Sequence, residues 1–103
     1  MNFFETCDVW FAACLVYLYG KECLAKITDT AVEGRRRVAT YALAVASEDV
    51  KILQKEYETD QLALASAKSF AGAYNSILHR QWAMRERGDT QWCSYDWILG
   101  KVG

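Results

Sequence analysis

The sequence predicts an α+β fold, and three observations carry that expectation. Val9–Tyr19 is an unbroken apolar run closed by Gly20, the pattern of a short helix that is apolar all round and stops at a glycine. Arg37–Ala46 alternates with period 2 and follows another alternating stretch, Glu22–Thr28, across a turn that contains Gly34, as in an antiparallel hairpin. Two later segments repeat their apolar residues at helical spacing.

Thr6 or Asp8 caps the first helix, since either side chain can accept from the orphan amides of its first turn. Phe3 and Phe4, just before it, form a short strand or a packing segment. In Glu22–Thr28, Cys23, Ala25 and Ile27 fall on one face, and Asp29–Gly34 supplies turn residues. In the second strand Tyr41, Leu43 and Val45 share a face. The alanines between them also suit a helix, so an all-helical bundle is the alternative fold.

Ser47-Glu48-Asp49 opens a second helix with acids where the macrodipole favours them. Val50, Leu53 and Tyr57 give it an apolar stripe through Glu58. Thr59–Ala65 reads as a loop or strand edge. Ser66 or Ser69 caps the last helix, whose buried face is Phe70, Ala73, Tyr74, Ile77, Leu78 and Met84 and which fades near Arg87-Gly88-Asp89. Residues 1–89 thus make one small domain. Residues 90–103 form an aromatic C-terminal segment, packed on that domain or used for interaction.

Composition narrows the function classes. The chain has 103 residues, 52% hydrophobic and 24% charged, which excludes a disordered protein. Twelve basic and thirteen acidic residues give a net charge of −1, without the basic excess of a general nucleic-acid binder. The 14 aromatics cluster near both ends and there is no proline, which favours tight Gly and Asx turns. The apolar run of Val9–Tyr19 is too short for a membrane span of about 20 residues. Met1–Asp8 carries Glu5 and Asp8 rather than the basic start of a signal peptide. A cytoplasmic protein without a membrane partner is the expectation.

Cys7, Cys14, Cys23 and Cys93 include no C-x-x-C pair, and His79 is the only histidine. No metal site is expected. Helical spacing puts Cys7 and Cys14 roughly 10 Å apart, too far for a disulfide. Cys23 with Cys93 stays open, with free buried thiols favoured.

No phosphate-binding, nucleophile-elbow or zinc-protease motif occurs, so no catalytic residue and no cofactor is expected. His79 lacks a catalytic partner at recognisable spacing, and the acids Glu48, Asp49, Glu56, Glu58 and Asp60 read as a solvated helix face. Two basic clusters remain: Arg35, Arg36 and Arg37 at the turn, and Arg80, Arg85 and Arg87 late in the last helix. Arginine forks grip phosphates or acidic protein surfaces, and the phosphate role gains weight if the clusters share a face. Trp92, Tyr95 and Trp97 are residue types that anchor protein interfaces. Their other role is to cover the core of this domain or of a second copy of the chain.

Phe4, Thr6, Asp8, Ala12-Ala13-Cys14-Leu15 and Gly20, followed by Arg37–Leu43 and Lys68-Ser69-Phe70, resemble an uncharacterised family of small domains from phage and bacterial genomes. The resemblance covers about residues 3–82. It implies an α+β fold and a mobile-element origin, and no activity. The expected function is a small non-enzymatic binding protein. A concrete form is a phage-encoded inhibitor that sterically blocks a host protein complex, such as a nucleic-acid-targeting defence system, in the host cytoplasm. The alternative is a nucleic-acid-binding accessory protein that uses the arginine clusters. A small-ligand or nucleotide binder ranks third.

Overall fold

Asp8 starts the first helix and ties it to a distant one. Its Oδ1 accepts from the amides of Trp10 (3.0 Å) and Phe11 (3.3 Å), while its Oδ2 accepts from the Tyr57 hydroxyl (2.9 Å). Burial and the Asp8 hydrogen bond push that phenol up to about 12. The structure, a computed structural model, describes residues 3–31, 37–59 and 67–94. After a short strand β1 (Phe4–Thr6) comes α1 (Val9–Tyr19), with Phe11–Val16 buried as its all-apolar sequence requires. Gly20 ends it at φ 95° and ψ 162°, a region essentially restricted to glycine. From there its N–H caps the Val16 carbonyl at 2.8 Å.

A single 3₁₀ turn (Lys21–Cys23) leads into β2 (Leu24–Ala31), which pairs antiparallel with β3 (Arg37–Leu43). The expected hairpin is present, and the all-helical alternative is not. Tyr41 and Leu43 pack into the core cluster, and that packing outweighs the helix preference of the neighbouring alanines. β1 pairs with β3 and a late strand β4 (Gln91–Cys93) pairs with β2, giving the antiparallel order β1-β3-β2-β4.

Two expectations for the hairpin are corrected. The register shifts between Leu24 and Lys26, so Ala25 is an extra residue that re-aims the chain. Cys23, Ala25 and Ile27 are buried, and Leu24, expected on the other face, joins Cys23 and Ile27 in the core cluster, where Leu24 pairs with Leu43 and Ile27 with Tyr41. Asp29 is not a turn residue. It lies within β2 opposite Ala39, on the same face as Ile27 and buried.

The helix α2 (Ser47–Glu58) brings Val50, Leu53 and Tyr57 to the core as its spacing predicts, although Ala46 holds the cap position. The helix α3 (Ala67–Glu86) begins before Ser69, which lies in its first turn, and Ser66 falls outside the described residues. Its most buried line is Ala73, Ile77, Gln81 and Met84, with Phe70 and Tyr74 half-buried at its flank. Leu15, Leu24, Ile27, Leu43, Ile77 and Met84 are the largest fully enclosed side chains. Each contributes on the order of 1.5–3 kcal/mol by leaving water, so α1, the hairpin and α3 share one core. All four cysteines are free; Cys14 and Cys23 are buried, whereas Cys7 is exposed and Cys93 half-buried. Burial raises the Cys23 thiol to about 11.

Replacing Asp8 removes a helix cap and a link to α2 in one step. Asp8→Ala is expected to cost about 1–2 kcal/mol, read as a lower urea midpoint with an unchanged slope.

Candidate functional site

Among the described residues, the buried face of the hairpin carries one ionised side chain. The Asp29 carboxylate has 0% side-chain exposure and accepts two hydrogen bonds from Arg85, from Nε at 2.6 Å and Nη2 at 2.8 Å. This is the two-pronged pairing that arginine makes best. Arg37 stands at 3.9 Å from the same Oδ2, with its side chain half in solvent. Arg85 holds the carboxyl below its ordinary range through the hydrogen bond foremost. Burial opposes this, and the charges of Arg85 and Arg37 add to it.

Gln81 extends the network one turn back along α3. Its Nε2 donates to the Tyr41 hydroxyl at 2.7 Å, and its Oε1 accepts from Arg85 Nη2 and Nη1 at 2.9 and 3.2 Å. Only that amide orientation faces donors with an acceptor and the hydroxyl with a donor. Burial pushes the Tyr41 phenol up to about 12. Among the described residues no buried side-chain polar atom lacks a partner. Asp29 is therefore held ionised and fully occupied, unlike a carboxyl poised for proton transfer.

Beside this network, and sharing its Gln81 and Arg85, α3 borders an open hollow of about 440 Å³, lined among the described residues by Asn75, Leu78, His79, Gln81, Trp82 and Arg85. Phe70, Tyr74, Leu78 and Trp82 recur every fourth residue and form one stripe beside the buried line. At its N-terminal end the Trp10 ring of α1 stacks on Tyr74 (4.4 Å, 7° between planes) and over Phe70 (6.1 Å, 13°). Trp10 remains 51% exposed and Trp82 69%. Large aromatic surfaces left in water in this way are a feature of interaction faces.

The residues expected to contact a partner fall into three groups. Arg35, Arg36, Tyr95 and Trp97 lie outside the described residues. Arg37 and Arg85, one from each basic cluster, are brought together on Asp29. The remaining three have internal partners. Arg80 donates to the Ser76 carbonyl and hydroxyl and sits 5.2 Å from the Trp92 ring centre; Arg87 pairs with Asp89 at 3.2 Å. Trp92 itself is half-buried and packs on the core.

Asp29, Gln81, Trp10 and Trp82 were not marked as site residues by sequence pattern, and Tyr41 was marked only as a core-facing strand residue. Asp29 sits among turn-forming residues, and Gln81 and Trp82 fall between the apolar positions expected for α3. The one available signal was the line Ala73, Ile77, Gln81 and Met84, where a polar residue occupies a core position and demands a partner. Among the described residues no group of three metal-binding side chains occurs, and no helix is long and apolar enough to cross a membrane. No protein-family model, curated protein or solved structure matches this chain.

The depressed Asp29 pKa makes a signed prediction. The folded carboxyl titrates below the unfolded one, near 3.9. Its stabilisation is therefore whole above that value and is lost as pH falls through the folded pKa. Urea midpoints of wild type and Asp29→Asn should be well separated at pH 7 and converge below about pH 4.

Proposed function

We propose that this protein is a small non-enzymatic binding protein that acts by occupying a partner protein's surface. One observation carries this reading: the exposed indoles of Trp10 and Trp82 bracket a single apolar stripe on α3. Tryptophan buries a large area at low entropic cost, and few contacts of this type supply most of the affinity in protein interfaces. The described arginines support the same choice. Arg80, Arg85 and Arg87 already have partners within the chain, and both prongs of Arg85 are spent on Asp29. Phosphate binding through those residues would have to break these contacts. A nucleic-acid-binding role is the second reading, resting on Arg37 as the more exposed cation beside Asp29.

The anchors proposed here differ from those expected from sequence. Trp92 contributes to the domain's own packing, and the docking face moves to Trp82, Leu78, Tyr74 and Trp10. The resemblance of residues 3–82 to phage and bacterial domains directs the search for the partner to a host defence complex, which the protein would inhibit sterically.

Trp82→Ala tests this reading because an exposed position costs little stability. Its thermal midpoint should stay within about 4 °C of wild type. Affinity capture from the native source, read by mass spectrometry, should recover a stoichiometric protein partner with wild type and lose it with Trp82→Ala. A partner retained by Trp82→Ala, or recovery of nucleic acid that falls steeply with salt, would overturn the proposal.

A further inference from the structure

The outward face of α3 is complementary to itself when two copies of the chain meet head to tail. Lys68, Gly72, Asn75, His79, Trp82 and Glu86 are all exposed. They fall within about 80° of arc, directly opposite the buried Ile77. Trp82 is the most exposed large apolar side chain among the described residues, at 69%. Lys68, Asn75, His79 and Glu86 have no hydrogen-bond or ion-pair partner among the described residues. Lys68 stands in the first turn of α3 and Glu86 in the last. Each is at the end where the dipole of its own helix disfavours its charge.

An antiparallel second α3 answers all of these features. With a two-fold axis at the level of Ile77, the N-terminal end of each helix lies beside the C-terminal end of the other. Lys68 then meets Glu86 of the second copy at both ends of the contact. Asn75 comes opposite His79, an amide facing an imidazole. Trp82 enters the hole formed by Lys68, Ala71, Gly72 and Asn75 of the second copy, residues spaced i, i+3, i+4 and i+7 as helix-on-helix packing requires. Ala71 and Gly72 are small, and no other described residue comes within 4 Å of the point where a Gly72 side chain would begin. The indole therefore finds room there. We propose that the chain forms a two-fold dimer through this face, α3 against antiparallel α3. This pairing rests on the docking role proposed above for Trp82 and supplies a second copy of the chain as the surface it meets. Tyr74, with the Trp10 ring stacked on it, is turned about 120° from the line of contact and stays open to a further partner. The contact is about 27 Å long and one helix wide. That is the small end of specific interfaces, so the dimer is reversible.

The test is sedimentation equilibrium of the full chain between about 10 μM and 1 mM, where wild type should pass from monomer to dimer. Lys68→Glu and Glu86→Lys each set like charges together at both ends of the pair. Either change should raise the dissociation constant at least about ten-fold. The combined variant restores opposite charges and should return to within about three-fold of wild type. Each reversal puts its charge where the α3 dipole favours it, so the thermal transition of every variant should stay at or above that of wild type. Single reversals that leave the dimer unchanged, or a combined variant that stays as weak as the single ones, would overturn the pairing. A wild type that is monomeric to about 1 mM would overturn it alone, since capture of a different protein through Trp82 needs no second copy.

Discussion

Asp29 enters the interior as a charge, and that constrains where α3 can lie. An isolated carboxylate with no solvent contact costs several kcal/mol. The cost is offset only if a cation arrives with good geometry, and Arg85 does so with two hydrogen bonds of 2.6 and 2.8 Å. Arg85 is in the last turn of α3, so the pair fixes the end of a 20-residue helix against β2. Gln81, one turn earlier, adds a second fixed point through Tyr41 on β3. The apolar core supplies most of the stabilisation but is nearly indifferent to small rotations of a helix. The polar network is not indifferent, because each of its bonds has a direction.

Fixing that rotation decides what α3 shows to solvent. With Ala73, Ile77 and Met84 on the core and Gln81 and Arg85 on the hairpin, the stripe Phe70, Tyr74, Leu78 and Trp82 is turned to the flank. Trp10 comes to rest on that stripe because Asp8 starts α1 two residues earlier. The exposed aromatics and the hollow are thus consequences of the same clamp.

Much of the architecture was legible in the sequence, because it rests on local chemistry. The apolar run ending at Gly20, the alternation through Tyr41 and Leu43, and the stripe Val50, Leu53 and Tyr57 all report periods that a single segment contains. The site was not legible in the same way. Asp29 and Arg85 are 56 residues apart, and nothing local distinguishes a turn aspartate from a strand aspartate with a distant partner. The bulge at Ala25, one inserted residue, brought Leu24 into the core beside Cys23 and Ile27, which strict alternation does not foresee. Arg80, Arg85 and Arg87 looked like one basic cluster because spacing reveals a shared neighbourhood and hides the partners that occupy it.

The two halves of the clamp are unequal. Removing Arg85 strands a carboxylate with 0% side-chain exposure, whereas removing Asp29 leaves a guanidinium with 36% exposure that can reach water. Single replacements therefore mix the pair's own energy with the cost of what is left behind. A double-mutant cycle of Asp29→Asn and Arg85→Met, measured by urea denaturation at pH 7, separates the two. A coupling of about 2 kcal/mol or more is expected for a fully desolvated two-pronged pair. A coupling within about 0.5 kcal/mol of zero, the additivity seen for independent sites, would contradict the claim that this pair sets the position of α3.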